Sequence, residues 1–165
     1  MYSLKSESIV LSPSVQSYLN RLTKNINFDI VVTSGTRSAR QQAQAMFTKI
    51  ELGDSTLRVY RDRKFAQSII DVFPNILDAT KIVEQYASSG GGSSHLRGLG
   101  VDIRSRNLTA KQIQSIIDVS TTLNANAILE RTPPHIHITV EPNEKKNLFI
   151  LLIPLAILIY NRFNK

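Results

Sequence analysis

The sequence has no cysteine and no tryptophan, and its basic residues outnumber its acidic ones. Without cysteine, both disulfide bonds and cysteine-ligated zinc sites are excluded. The 165 residues include 20 Lys and Arg against 13 Asp and Glu, which gives a formal net charge of +7. Such a balance favours anionic partners: nucleic acid, acidic lipid or an anionic cell wall. Aromatic residues make up only 7% and no nucleic-acid-binding motif is present, so nucleic acid is not an expected partner.

Histidine is scarce as well, and its positions are informative. The chain has three histidines, which fall into two short clusters at His95 and at His135 and His137. Asp102 follows His95 by seven positions. Imidazole nitrogens and carboxylate oxygens are donors that Zn²⁺ accepts, and three protein ligands leave a fourth position open to water. That arrangement is typical of a catalytic zinc site rather than a structural one.

The alternation of side chains along strands supports this interpretation. A strand from Gly98 to Arg104 would place Asp102 on one face with two glycines, where a metal or substrate can approach the backbone closely. The glycines at positions 90–92 would let the preceding loop fold back toward that strand. His135 and His137 are two positions apart, so they would share one face while the intervening isoleucines take the other.

Two of these segments resemble the motifs of a known family. The pattern Ser93-x-His95-x-x-Gly98-x-Gly100-x-Asp102 resembles the zinc signature of D-Ala-D-Ala carboxypeptidases and related peptidoglycan peptidases. That family often has alanine at the position of Gly100, which is a conservative departure. The pair His135-x-His137 resembles the closing motif of the family, which the hedgehog signalling domain shares. The resemblance implies that His95, Asp102 and His137 bind zinc and that His135 lies beside them as a non-ligand.

A third segment resembles the substrate-binding element of the same family. It runs from Ser34 through Gly35, Thr36 and Arg37 to Ser38, with Gln42 four positions later, and Thr36 replaces the usual aromatic. The resemblance implies that Arg37 contacts substrate near the scissile bond, since a guanidinium can grip a carboxylate with two hydrogen bonds. The expected substrate-binding residues are Arg37, Gln42 and Ser93.

The chemistry also needs a general base, and two residues compete for the role. Glu130 lies seven positions before His137, across the turn at 132–134. Family members carry their glutamate at shorter spacings, so this spacing is a departure. His135 is the rival base, because some family members use a histidine there. Otherwise His135 could donate a hydrogen bond to the developing oxyanion.

The pattern of elements predicts an α+β fold. We expect a small antiparallel sheet that carries the zinc site and is flanked by helices, as in the hedgehog and DD-peptidase fold. Ser12 and Thr109 are suitable N-caps for two of the helices. The other expected elements are helices at 37–52 and within 54–88, and strands at 28–33, 98–104, 127–131 and 135–140. Residues 1–142 would form this peptidase-like domain.

The C-terminal end differs from the rest of the chain. Residues 148–160 are apolar throughout and carry no charge, and lysines and an arginine flank them. We therefore expect residues 143–165 to form a C-terminal membrane-anchor helix that makes the lipid bilayer a partner. The alternative is a buried core helix, because the run is short for a bilayer. Residues 1–7 lack an apolar segment, so no cleavable signal peptide is expected.

These expectations combine into one functional hypothesis and its alternatives. The chain would be a membrane-anchored zinc metallopeptidase that cleaves the stem peptides or cross-links of bacterial peptidoglycan, as a carboxypeptidase or an endopeptidase. The missing aromatic before the closing motif favours an endopeptidase. A phage-encoded or virion-associated enzyme would explain how it reaches the wall. The alternatives are a catalytically inactive zinc-bearing wall-binding module, a structural component of a phage or injection particle, and a metal-free domain with core histidines.

Overall fold

The computed structural model describes residues 1–53, 60 and 62–141. Within those residues the chain forms five helices and five strands, and the five strands form one sheet. In chain order the elements are β1 (Tyr2–Leu4), α1 (Pro13–Asn25), β2 (Ile30–Ser34), α2 (Ala39–Glu51), α3 (Arg63–Asp71), α4 (Ile76–Ser88), β3 (Gly100–Arg104), α5 (Ala110–Thr122), β4 (Ala125–Arg131) and β5 (Pro134–Val140).

The sheet is mixed, with the strand order β1-β2-β3-β5-β4. β1 pairs with β2 in parallel, whereas β2–β3, β3–β5 and β4–β5 are antiparallel. The prediction of a purely antiparallel sheet is therefore wrong. β1 was missed because its three residues are too few to display an alternating pattern. It forms because Met1 and Lys5 extend the pairing by backbone hydrogen bonds with Ile30 and Val32.

One face of the sheet packs against α1 and α5 over a continuous apolar core. Alternate residues of the central strands point into it, and Val101, Ile103, Ile136 and Ile138 are fully buried. α1 begins as predicted, since the Ser12 side chain accepts a hydrogen bond from the Val15 amide.

Helices α2, α3 and α4 form a second, separate apolar core. Met46 and Phe47 of α2 pack there with Ile69 of α3 and Val83 of α4. α2 begins at Ala39 instead of Arg37, because Ser38 is its N-cap in a capping box with Gln41. Arg37 therefore lies in the loop before the helix. This helical layer stands over the second face of the sheet, and a cleft separates the two.

No helix in the described part of the chain is long and apolar enough to cross a membrane. The longest have 13 residues, which corresponds to roughly 20 Å, against a bilayer core of about 30 Å. The predictions of a C-terminal membrane-spanning helix and of a membrane-anchored localisation are therefore not supported, and both are withdrawn. The segment to which the anchor was assigned, 143–165, lies outside the described residues.

Candidate metal centre

The predicted strand alternation places the candidate ligands on one face of the sheet. Asp102 of β3 pairs directly with His137 of β5, and His135 pairs with Arg104 on one side and Glu130 on the other. The isoleucines at 136 and 138 take the opposite, buried face. The two histidines and the aspartate therefore face the cleft because of sheet register.

His95 reaches the same place from a loop that folds onto β3. Gly98 has a φ of +67°, a left-handed conformation that favours glycine. At Gly100, a Cβ atom would lie 2.6 Å from the backbone nitrogen of His95 and 2.7 Å from the Ser94 hydroxyl. The space above Gly100 is thus filled by the loop and not by substrate. Alanine at this position would not be a conservative change in this chain.

Three ligand atoms converge in this arrangement. His95 Nε2 lies 3.2 Å from Asp102 Oδ1 and 3.2 Å from His137 Nδ1, and the last two atoms are 2.8 Å apart. Two ligands of a tetrahedral zinc, each about 2.1 Å from the ion, are about 3.4 Å apart. Two edges of the triangle are close to that length, and the edge between Asp102 and His137 is shorter. His95, Asp102 and His137 are geometrically able to hold a metal ion.

The hydrogen bonds of the two imidazoles are compatible with a cation at this point. His95 Nδ1 lies 2.6 Å from the carbonyl oxygen of Gly35, so Nδ1 carries the proton and Nε2 of the neutral ring presents a lone pair. His137 Nδ1 lies 2.8 Å from Asp102 Oδ1 and its Nε2 lies 3.1 Å from the Ser94 hydroxyl, which can donate or accept, so without an ion the ring can donate to Asp102. With the ring proton on Nε2 instead, Nδ1 presents a lone pair, and a cation would bind both nitrogens and the carboxylate oxygen. Outer contacts of this kind orient metal-binding histidines.

Arg37 forms an ion pair with Asp102 and holds its side chain in place. Its Nη2 donates to Asp102 Oδ2 at 2.8 Å, and its Nε donates to Ser34 Oγ at 2.9 Å. Burial acts to raise the pKa of Asp102, but contacts with His137 and His95 and the charge of Arg37 outweigh it and hold that pKa well below its ordinary value. All three guanidinium nitrogens thus already donate hydrogen bonds, since Nη1 also donates to Gln42 Oε1 at 3.4 Å. The role of Arg37 in gripping substrate stays a prediction.

The other predicted substrate residues lie beside Arg37 in one hydrogen-bond network. Ser93 Oγ donates to Gln42 Oε1 at 3.1 Å, and Gln42 Nε2 donates to the Tyr60 hydroxyl. Burial raises the pKa of Tyr60 to about 12, so this phenol keeps its proton. Gln42 is almost fully buried at 2% exposure, which indicates that it supports the loops as much as it faces the cleft.

The two candidate bases lie together at the β4 side of the centre. His135 Nε2 is 3.6 Å from Glu130 Oε2 and 3.5 Å from Asp102 Oδ1, while its Nδ1 donates to the Pro133 carbonyl at 2.6 Å. Glu130 also forms an ion pair with Lys49 of α2 at 2.6 Å. Burial acts to raise the pKa of Glu130, but the hydrogen bond and charge of Lys49 prevail and lower it. Glu130, His135 and His137 form a second group able to hold a metal ion, although Lys49 already neutralises its carboxylate.

Sequence reasoning missed three residues of the site. Lys49 lies seven positions after Gln42, or two helical turns, so the spacing of a cleft-facing helix could have revealed it. Tyr60 was not among the expected site residues, yet its hydroxyl accepts a hydrogen bond from Gln42. Ser94 had no sequence signal beyond its place beside His95.

The cleft that contains these groups has a volume of about 1040 Å³. Its walls are the polar face of the sheet and the helical layer, and it is large enough for a short peptide. No protein-family model, curated protein or solved structure matches this chain, so its function is inferred from the site and its motifs.

Proposed function

We propose that the chain is a zinc-dependent peptidase that cleaves peptide bonds in the stem peptides or cross-links of bacterial peptidoglycan. The observation that carries the proposal is the triangle of His95, Asp102 and His137, with a carboxylate and an imidazole beside it in a cleft. The choice of zinc follows from the donor set of two imidazoles and one carboxylate. The choice of peptidoglycan follows from the resemblance of three sequence segments to the peptidase family.

His95, Asp102 and His137 would hold the ion, and each has a partner that fixes its orientation. The Gly35 carbonyl orients His95, Arg37 orients Asp102, and Ser94 orients His137. When bound, zinc supplies Lewis-acid activation of water and of the scissile carbonyl. Both imidazoles would enter as neutral ligands and Asp102 as an anion, with the ring protons on His95 Nδ1 and His137 Nε2.

Glu130 is the proposed general base. Its lowered pKa keeps the carboxylate ionised at neutral pH, so Oε1 or Oε2 can accept the proton of the attacking water. His135 Nε2 faces both Glu130 and Asp102, and because Nδ1 donates to the Pro133 carbonyl, Nε2 of the neutral ring can first accept a proton. Once it carries that proton, it can donate it to the leaving group or bind the developing oxyanion. Lys49 holds the carboxylate from the opposite wall and so fixes its position in the cleft.

The test is digestion of purified peptidoglycan by the zinc-loaded full chain, with product masses as the readout. We expect new peptide ends in the wild type and their disappearance with a chelator. Glu130→Gln should keep stoichiometric zinc and lose about 10²-fold or more of the activity, the usual scale for a lost general base. Glu51→Gln, an exposed carboxylate at the end of α2, is the matched control and should retain full activity.

Two results would change the assignment. Full activity in Glu130→Gln together with an inactive His135→Ala would transfer the base role to His135. No hydrolysis of any wall type by the zinc-loaded wild type would refute the peptidase.

One observation favours a second candidate, a zinc-bearing wall-binding module without activity. The carboxylate of Glu130 is paired with Lys49 at 2.6 Å, and such a pair weakens the carboxylate as a base. In this case the zinc-loaded chain should sediment with insoluble peptidoglycan but release no peptides. Lys49→Met would then leave wall binding unchanged, whereas in the peptidase it should alter turnover.

A further inference from the structure

The strands that cross the metal centre present one row of paired residues to the cleft. Ser34 of β2 pairs with Asp102 of β3, which pairs with His137 of β5. His137 in turn pairs with Ile128 of β4. Directly paired residues of antiparallel strands share one face of the sheet, and all four of these residues line the cleft. The candidate ligands Asp102 and His137 therefore have a hydroxyl neighbour on one side and an alkyl neighbour on the other.

The two ends of this row differ in how their side chains are engaged. At the β2 end, Ser34 Oγ accepts a hydrogen bond from Arg37 Nε at 2.9 Å. At the β4 end, the side chain of Ile128 is 46% exposed. Among the large apolar residues that are exposed in the described part of the chain, Ile128 alone lines the cleft. It thus offers apolar surface to a ligand directly beside a candidate metal ligand.

Ile128 is close enough to the metal centre to contact a substrate that is held there. Neighbouring strands are about 4.8 Å apart, and the Cβ atoms of directly paired residues are about 5 Å apart. In a peptide, the Cα atom that follows the scissile carbonyl carbon lies only about 2.4 Å from it, across one C–N and one N–Cα bond. The side chain on that Cα atom can therefore extend from the metal over His137 to Ile128.

The position of the proposed base indicates which substrate residue lies at this end of the row. Glu130 is on the same face of β4 as Ile128 and about 7 Å further along the strand. The proton that Glu130 accepts from water has to reach the leaving nitrogen, either directly or through His135, which pairs with Glu130. The leaving nitrogen therefore belongs on the β4 side of the metal, where Ile128 is.

We infer that Ile128 contacts the side chain of the substrate residue that supplies the leaving nitrogen, and that the cleft thereby selects an alkyl side chain at this position. The inference rests on the proposed peptidase function and narrows its substrate class. A polar side chain would lose water at Ile128 without gaining a hydrogen bond, whereas an alkyl chain binds more tightly as it lengthens. The nearby carboxylate of Glu130 is paired with Lys49 at 2.6 Å, which disfavours a basic substrate side chain there.

Leu129 is the matched comparison for an exposed side chain on the same strand. It is 44% exposed, yet it pairs with Ile136, which is fully buried on the opposite face of the sheet. Leu129 is not among the residues that line the cleft. Because Ile128 and Leu129 are almost equally exposed but lie on opposite faces, the same substitution at each separates a contact with substrate from a general loss of apolar surface.

The test measures the binding of three ligands to the zinc-loaded full chain. Each has a hydroxamate, which binds the metal ion, joined to one residue on the side of the leaving nitrogen, with a methyl, ethyl or propyl side chain. Since the hydroxamate fixes the ligand at the metal, cleavage is not needed. We expect affinity to rise about tenfold from methyl to propyl, because each buried methylene contributes up to about fourfold. In Ile128→Thr, which stays β-branched, the rise should fall to about twofold or less with unchanged zinc content.

Leu129→Thr is the control and should keep the full rise. A rise that survives in Ile128→Thr, or that is lost equally in both variants, would overturn the contact. Equal binding of the three ligands by the wild type, or no binding of any of them, would overturn it too. A dimer that sediments in the wild type and dissociates in both variants would assign the two exposed side chains to a contact between copies of the chain, and would also overturn the inference.

Digestion of peptidoglycan by the wild type is measured separately. If peptides are released, the new amino terminus should belong to a residue with an alkyl side chain, and a charged side chain there contradicts the inference. Affinity that rises with chain length, without release of any peptide, refutes the peptidase and leaves the apolar contact beside the metal in place. Release of peptides together with equal binding of the three ligands refutes the contact and leaves the peptidase in place.

Discussion

The two walls of the cleft are built differently. The sheet wall presents Asp102, His135 and His137 from paired strands whose opposite face is fully buried core. The helix wall presents Gln42 and Lys49 from α2, which packs into a separate apolar core. Strand register fixes the first set at the level of the backbone, whereas the second set reaches the site through long side chains. The wall with the more rigid support is the one that carries the candidate metal ligands.

The chemistry of the two walls follows the same division. Asp102 and His137 of the sheet wall, with His95 of the loop on β3, offer the candidate ligand atoms, whereas Lys49 of the helix wall contacts Glu130. Changes to the sheet wall should therefore act on metal binding, and changes to the helix wall should act mainly on substrate and turnover. The predictions below test this division.

The largest effect is expected when a ligand of the sheet wall is removed. His95→Ala or Asp102→Ala should abolish stoichiometric zinc in elemental analysis, because two remaining donors cannot hold the ion tightly. His135→Ala and Lys49→Met should retain the metal. Zinc content that is unchanged in both ligand variants would remove the metal centre altogether.

A smaller loss of zinc affinity is expected when the ion pair of Arg37 with Asp102 is removed. Arg37→Gln should weaken zinc affinity by about 10-fold to 100-fold, the range for residues that orient a ligand. Arg40→Gln, an exposed arginine on α2, is the control and should have no effect. Competition with a chromophoric chelator gives both affinities. Normal affinity in Arg37→Gln would show that the guanidinium serves substrate alone.

The loop at 93–99 packs closely on Gly100 of β3, so a larger residue at position 100 tests how tightly the sheet wall is built. Gly100→Ala should lower the free energy of unfolding by about 1–3 kcal/mol, because the methyl group meets the backbone of His95. Zinc affinity should fall with it, since His95 has to move. Gly53→Ala is the control for backbone conformation: its φ is +71° but no atom lies within 4 Å of the added Cβ. It should lower stability without changing zinc affinity, and urea unfolding with and without chelator measures both.

The smallest effect is expected on the pH dependence of the free energy of unfolding of the metal-free protein. The folded pKa of Asp102 is below its unfolded value of about 3.9, so its contribution to stability is present above that pH and is lost as the pH falls through the folded pKa. In chelator, Asp102→Asn should be less stable than wild type by about 1–3 kcal/mol at pH 7. That difference should shrink below about pH 4. A difference that stays constant down to pH 3 would contradict the charge assignment.

Much of the sheet wall could be predicted from the sequence because its signals are local. Strand alternation at His135 and His137 and the cap at Ser12 depend on residues within a few positions of one another. The parallel strand β1 could not be predicted, because three residues display no period and the pairing depends on a partner 28 positions away, Tyr2 with Ile30.

The helix wall was less predictable because its contacts are made between distant segments. Lys49 and Glu130 are 81 positions apart, and neither residue type indicates the other. Arg37 was expected to contact substrate, and its ion pair with Asp102 joins residues 65 positions apart, which no local pattern indicates. Local patterns therefore predicted which residues belong to the site more readily than what each of them contacts.

The contacts of His95 with the loop before α2 have a consequence for folding. Its imidazole donates to the Gly35 carbonyl 60 positions away, and its own carbonyl accepts the Arg37 amide at 3.2 Å. A collapsed chain with native helices but disordered loops would lack these hydrogen bonds between His95 and the loop before α2. The orientation of the imidazole is then lost although the secondary structure remains. Tight binding of a metal ion by this centre would therefore require tertiary order, and the bound ion would report that order.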